Sequence, residues 1–152
     1  DLNSTFYVTR LVVPFMKAQS GGVILNMSSS AGRYGCPLRS PYVAAKWAAI
    51  GLAQTWAMEL GPWNIRVNAL CPGSVGGERI DRVIVRDAQE RGVEPEAIRT
   101  IYQRQSSLRA FASAEDIAAM VCFLVGPGGQ MISGQTIGID GHTETLANWL
   151  DP

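Results

Sequence analysis

The order of its apolar segments constrains this chain more than any other feature. Residues 23–27 (VILNM) form a short apolar run between a glycine pair and a serine triplet, which is typical of a buried parallel strand. A long Ala-rich run over 42–60 ends at Gly61-Pro62 and predicts a helix. Residues 64–70 (NIRVNAL) predict a second strand. A strand, a helix and a strand in this order indicate a right-handed parallel crossover.

Further elements extend this pattern on both sides. Apolar residues at helical spacing predict a helix over 2–16, before the first strand. Ser113 is typical of a helix N-cap, and the apolar run after it predicts a helix that ends at 125. Residues 135–139 (QTIGI) predict the last strand. We therefore expect an α/β fold in which a parallel sheet of three strands is flanked by helices.

The most polar part of the chain is the segment 76–107, which is predicted to be a helical excursion from the main framework. Helices are expected over 81–91 and 95–105. Excursions of this kind usually carry substrate contacts. The side chains expected to form a mixed polar and apolar pocket are Arg79, Ile80, Ile84 and Tyr102.

Length and composition exclude several classes of function. The sequence has 152 residues, of which 47% are hydrophobic and 17% charged, with 13 basic and 13 acidic side chains. This balance predicts one globular domain, and it argues against a nucleic-acid partner, which would need a concentrated basic surface. No apolar stretch reaches the length of about 18 residues that a membrane span needs. Three widely spaced cysteines predict neither a disulfide framework nor a metal site, and they fit a reducing, cytoplasmic location.

Three polar residues are placed where they could do chemistry together. Tyr42 and Lys46 lie four residues apart at the start of the predicted helix, so they share one helix face. An ammonium beside a phenol favours the phenolate, which would let Tyr42 exchange a proton near neutral pH. Ser29 follows the first strand, at the carboxyl edge of the sheet, where ligands of open parallel sheets bind.

The motifs NMSS, YVAAK, NIRVNALCPG and GQTIGIDG follow one another in this order. Their succession resembles the short-chain dehydrogenase/reductase family, and the resemblance runs from Asp1 to about His142. It implies a Rossmann-like sheet and hydride transfer between NAD or NADP and a small alcohol or carbonyl substrate. The residues 1–152 would then form a single catalytic-half domain, carrying the later strands of a doubly wound fold.

The resemblance also implies a role for individual residues. Tyr42 would be the general acid/base, Lys46 would bind the nicotinamide ribose and assist the tyrosine, and Ser29 would orient the substrate oxygen. Its neighbours Ser28 and Ser30 are predicted to be structural. The residues expected to bind the cofactor are Tyr42, Lys46, Pro72, Gly73 and Val75, and no metal is expected.

Four departures from the family pattern stand out. Asp1 occupies the position of a usual asparagine, Gly77 that of a common threonine, and His142 that of a common second glycine. We expect His142 to make a surface or subunit contact rather than to act in catalysis. The glycine-rich dinucleotide turn does not occur in this sequence, so we expect about 100 residues of a complete enzyme to precede Asp1, at about 30 residues per strand-helix unit.

Two other interpretations remain open. The chain could be a non-catalytic fragment or assembly module that associates through the apolar segments 2–16 and 42–60. The same segments predict a homodimer or homotetramer if the chain belongs to an enzyme. The other interpretation is a serine hydrolase built on Ser29 and His142, although no G-x-S-x-G motif surrounds the serine.

Overall fold

The computed structural model describes residues 2–147, which form a three-stranded parallel sheet with helices around it. The strands are β1 (Gly22–Met27), β2 (Ile65–Pro72) and β3 (Thr136–Ile139), and they lie side by side in the order β1-β2-β3. The helices are α1 (Leu2–Ala18), α2 (Ser40–Leu60), α3 (Glu78–Arg91), α4 (Pro95–Arg104) and α5 (Ala114–Val125). The predicted α/β fold and each of its predicted helices and strands are confirmed.

Two of the differences between the predicted and the observed element bounds have a clear physical reason. Helix α3 begins at Glu78 rather than at Asp81, and both acidic side chains lie in its first turn, where they complement the helix dipole. Strand β2 continues to Pro72, which pairs with Ile139 although proline lacks an N–H. The ladder continues because the next N–H, that of Gly73, donates to the Ile139 carbonyl at 3.1 Å.

Strand β2 is the centre of the main core. Its apolar side chains are buried among those of α2, where Ala53 and Trp56 pack against Val67 and neighbouring strand residues. The fully buried Asn68 is the polar exception. Its amide donates to the Ile132 carbonyl at 2.9 Å and accepts from the Gln135 N–H at 3.0 Å, so its hydrogen bonds hold the segment leading into β3.

Helix α1 lies on α2 but leaves most of its own apolar surface exposed. The Phe6 and Trp56 rings are 6.2 Å apart between centroids, yet no residue of α1 is buried. Leu11 and Phe15 are 70% and 75% exposed. Within residues 2–147, no helix combines the length and the apolarity that a membrane crossing requires.

Helices α3 and α4 form a pair with a small core of their own. Ile84, Ala88, Ile98 and Tyr102 are buried between them. A bridge between Val75 and Ala112 joins the segment that precedes the pair to the segment that follows it. Ile84, which the sequence placed in a substrate pocket, is instead fully buried in this core, because it lies on the face of α3 that packs against α4.

Candidate active site

The end of β1 and the loop after it are tied to the first half of α2. The buried Ser28 hydroxyl donates to the Lys46 carbonyl at 2.8 Å, and the Asn26 amide donates to the Ala49 carbonyl at 3.1 Å. Both hydrogen bonds join the carboxyl end of β1 to one side of α2. The hydrogen bond of Ser28 is therefore structural, and it fixes the position of α2 relative to the edge of the sheet.

Tyr42 and Lys46 lie on the same side of α2, as their spacing predicts. The Lys46 ammonium is 5.5 Å from the centroid of the Tyr42 ring and donates to the Met27 carbonyl at 3.1 Å. Both side chains are partly buried. The Tyr42 hydroxyl has no hydrogen-bond partner among residues 2–147, so it can bind an oxygen atom of a ligand.

Ser29 lies at the start of a short 3₁₀ turn, Ser30–Gly32. Its hydroxyl accepts a hydrogen bond from the Ala31 N–H at 3.2 Å and so caps this turn. Accepting that bond leaves the hydroxyl proton available to a ligand oxygen. Ser29 and Tyr42 line the same cavity, which brings two hydroxyl groups to one space.

This cavity has a volume of about 190 Å³ and lies at the carboxyl edge of the sheet. Of the predicted site residues, those that line it are Ser29, Tyr42, Gly73 and Val75. Lys46 and Pro72 lie outside the lining: Lys46 contacts the Tyr42 ring from one turn away, and Pro72 is buried as the last residue of β2. The α3–α4 pair contributes a further part of the wall, including Arg79, Ile80 and Tyr102 as the sequence suggested.

Gly73 is required by a close approach within the protein. A Cβ atom at this position would lie 3.0 Å from both Cα and Cβ of Asp140. The buried Asp140 carboxylate accepts from the Thr143 hydroxyl at 2.7 Å and from the His142 N–H at 3.1 Å, and it lies 3.9 Å from the Arg33 guanidinium. The loops that follow β2 and β3 are therefore held against each other beside the cavity.

Two of the residues that depart from the family pattern, Gly77 and His142, have a positive backbone φ angle. Gly77 has φ 124° and precedes α3, a conformation that a threonine would not adopt without strain. His142 has φ 65°, in the left-handed region that favours the more usual glycine. Its Nδ1 lies 3.1 Å from the Ser107 hydroxyl. Within residues 2–147 the imidazole makes no hydrogen bond with Ser29, the partner that a serine hydrolase would need. Asp1 lies outside the described residues.

Sequence reasoning missed several residues of the cavity. Cys36, Arg39, Gln105 and Leu146 line it. Arg39 had a signal, because it lies three residues before Tyr42, at the position preceding the helix. The others had none, since their approach depends on how the loop after β1, the end of α4 and the segment after β3 pack together.

The remaining titratable groups near the site do not form a metal centre. Residues 2–147 contain no group of three or more His, Cys, Asp or Glu side chains arranged to hold a metal ion.

Cys71 is fully buried, as expected of a small apolar residue. Burial raises the pKa of its thiol, and a hydrogen bond with the Ser28 side chain opposes that rise.

Comparison with known proteins places these features in a family. The family model described as enoyl-(acyl carrier protein) reductase matches residues 1–142. The chain is 37% identical over 141 residues to the 3-oxoacyl-[acyl-carrier-protein] reductase FabG of Thermotoga maritima, covering 93% of this chain and 53% of that protein. It is 32% identical over 142 residues to the D-beta-hydroxybutyrate dehydrogenase of Rhizobium meliloti, with coverages of 93% and 55%. The chain thus spans about half the length of these curated relatives.

Solved structures agree with this placement. A 4-hydroxyisoleucine dehydrogenase complexed with NADH superposes with a TM-score of 0.74 at 30% identity, covering 93% of this chain and 55% of that one. The sorbitol-6-phosphate 2-dehydrogenase SrlD of Erwinia amylovora gives a TM-score of 0.83 at 23% identity, with coverages of 97% and 56%, and supports the fold alone. With its ordered motifs, its parallel sheet and these relatives, the chain belongs to the short-chain dehydrogenase/reductase family.

Proposed function

We propose that the protein containing this chain is an NAD- or NADP-dependent oxidoreductase that interconverts an alcohol and a carbonyl compound, with Tyr42 as the general acid/base. The observation that carries this proposal is the position of Tyr42. It lines the cavity together with Ser29, its hydroxyl has no partner among the described residues, and the Lys46 ammonium lies 5.5 Å from its ring centroid.

The residues of the cavity fit a nicotinamide cofactor. The segment 73–75 lines the cavity together with Ser29 and Tyr42, and no described carboxylate lines it. An NAD⁺-bound xylitol dehydrogenase, 30% identical with a TM-score of 0.80, supports the same cofactor class. When bound, the cofactor supplies or accepts the hydride.

Each predicted residue then has a defined task. Tyr42 donates a proton to the carbonyl oxygen during reduction and takes it back during oxidation. Ser29 donates a hydrogen bond to the same oxygen and orients it. Lys46 stabilises the negative charge that develops on the phenol. Gly73, Val75 and Pro72 form the segment beside the nicotinamide, with Pro72 holding the end of β2 in register rather than contacting the ligand.

The replacement of Tyr42 by phenylalanine in the complete protein tests the acid/base role. We expect turnover of a panel of small alcohols and ketones to fall by about 1,000-fold, because the ring and its packing remain and only the proton-transfer group is lost. Reduced nicotinamide absorbance provides the measurement. Tyr34→Phe is the matched control, because Tyr34 lies in the loop between β1 and α2 and does not line the cavity. Undiminished turnover in Tyr42→Phe contradicts the assigned role.

The exposed apolar surface of α1 favours a homo-oligomer and also supports the alternative of a non-catalytic assembly module. Leu11 and Phe15 are largely exposed, and β1 is an edge strand of the described sheet. We expect sedimentation of the complete protein to give a dimer or tetramer that Leu11→Glu disrupts. Nicotinamide binding measured on the same sample separates the two functions: tight binding supports the enzyme, and no binding supports the module. The cytoplasmic location stays a prediction.

A further inference from the structure

The charges that line the cavity are of one sign. Arg39 immediately precedes α2, and Arg79 lies in the first turn of α3, so two arginines line the cavity from different elements. No aspartate or glutamate lines it. Two cationic side chains without a carboxylate give this space a positive potential that favours an anionic ligand.

Arg39 and Arg79 also differ from most other arginines of residues 2–147 in their side-chain contacts. Hydrogen bonds or ion pairs to the protein are made by Arg33, Arg66, Arg86, Arg91, Arg99 and Arg109. Neither Arg39 nor Arg79 has a side-chain partner of this kind within residues 2–147. Their hydrogen-bonding capacity is therefore available to a ligand, and a guanidinium group binds a carboxylate with two parallel hydrogen bonds.

We propose that the site selects substrates that carry a carboxylate away from the reacting carbon, and that Arg39 and Arg79 bind this group. The inference rests on the proposed oxidoreductase function, because Ser29 and Tyr42, the residues proposed to act at the reacting carbon, line the same cavity. Ile80 and Val83 of α3 also line the cavity and provide an apolar surface for the carbon chain of such a substrate. The substrate class is thus a small hydroxy acid or oxo acid.

Matched substrates with and without the charge test this selection in the complete protein. The pairs are acetoacetate with methyl acetoacetate and levulinate with methyl levulinate. We expect kcat/KM to be at least about tenfold higher for the acid of a pair, the factor that one charge-assisted hydrogen bond provides. In an Arg39→Gln/Arg79→Gln double variant the preference should disappear. Arg82→Gln, an exposed α3 arginine outside the cavity, should retain it.

The kinetic outcomes separate the two proposals. Equal use of acid and ester, or a preference that survives in the double variant, overturns the carboxylate inference while leaving the oxidoreductase function standing. If the arginine substitutions weaken only nicotinamide binding and not the preference for the acid, the arginines serve the cofactor and the inference is equally overturned. If none of the acids and esters is turned over and the complete protein binds no nicotinamide cofactor, the result counts against the proposed function.

A second measurement tests carboxylate binding without turnover. Cys36 lines the cavity and Cys122 is exposed on α5, so alkylation by the uncharged reagent iodoacetamide reports on the cavity and on an internal control. Levulinate should slow the labelling of Cys36 several-fold, methyl levulinate should not, and neither should affect Cys122. Site-resolved mass spectrometry provides the rates. Absence of protection by levulinate, or protection that persists in the double arginine variant, overturns the inference.

Discussion

The Lys46 ammonium lies 5.5 Å from the centroid of the Tyr42 ring, one helical turn away on α2. It also donates to the Met27 carbonyl at 3.1 Å, so the cation is held between the end of β1 and the phenol. This placement depends on the sheet as well as on the helix, because the hydrogen bond from Ser28 to the Lys46 carbonyl fixes the helix against the loop. Under the proposed function, the cation is positioned to support proton transfer by Tyr42.

Replacing Lys46 with methionine should separate this electrostatic support from packing. The methionine keeps most of the aliphatic stem, and the hydrogen bond from Ser28 goes to the main chain and is unaffected. We expect kcat/KM to fall by about 100-fold, because the positive charge that assists proton transfer is lost. Lys17→Met is the matched control: the Lys17 ammonium lies 5.0 Å from the Trp63 ring centroid, and neither residue lines the cavity. Equal losses in both variants would argue against a role for Lys46 in the reaction.

Replacing Gly32 with alanine should disturb the site through its scaffold. A Cβ atom at Gly32 would overlap the Ser28 hydroxyl and lie 2.9 Å from the Lys46 carbonyl oxygen. We expect the free energy of unfolding to fall by about 1–3 kcal/mol, the usual cost of overpacking, with a loss of activity as α2 shifts. Urea denaturation and steady-state kinetics provide the measurements. Gly35→Ala in the same loop meets nothing within 4 Å and should behave as wild type.

Burial of Cys71 predicts a loss of stability at alkaline pH. Burial raises the pKa of this thiol above its ordinary value of 9.0. The unfolded chain therefore releases the proton first, so the stabilising contribution is complete below about pH 9 and is lost as the pH rises toward the higher folded pKa. In that range the free energy of unfolding should fall by up to about 1.4 kcal/mol per pH unit from this group.

Denaturation of matched cysteine variants at several pH values checks this expectation. Cys71→Ala should lack the alkaline component that wild type shows, whereas Cys122→Ala, which removes an exposed thiol, should retain it. Parallel pH dependences in wild type and Cys71→Ala would show that another group is responsible.

The elements of the fold could be predicted because they rest on local patterns. The apolar run of β1 and the Ala-rich run of α2 are bounded by glycine and proline residues that end regular structure. The spacing of Tyr42 and Lys46 predicts their shared face for the same reason, since it depends only on helix geometry. Their catalytic roles stay predictions, because proton transfer needs a substrate and a cofactor.

The wall of the cavity could not be predicted in the same way. Ile84 and Ile80 lie one turn apart on α3, yet Ile84 enters the core with α4 and Ile80 lines the cavity. Only the position of the helix pair decides which of them meets a ligand. Leu146 lines the cavity because the segment after β3 is held by the Asp140 carboxylate, which binds the Thr143 hydroxyl. Asp140 in turn packs against Gly73, about seventy residues earlier in the chain. No local sequence pattern encodes a contact over this distance.

His142 combines an unfavourable backbone conformation with a favourable side-chain contact, and two substitutions can separate them. Its φ of 65° lies in the left-handed region, and its Nδ1 is 3.1 Å from the Ser107 hydroxyl. Both His142→Gly and His142→Ala remove the contact, but only glycine relieves the backbone strain. We expect the glycine variant to be more stable than the alanine variant by about 1 kcal/mol in urea denaturation, with kcat/KM unchanged in both because His142 does not line the cavity. A large loss of kcat/KM in both variants would show that the imidazole contributes to the reaction.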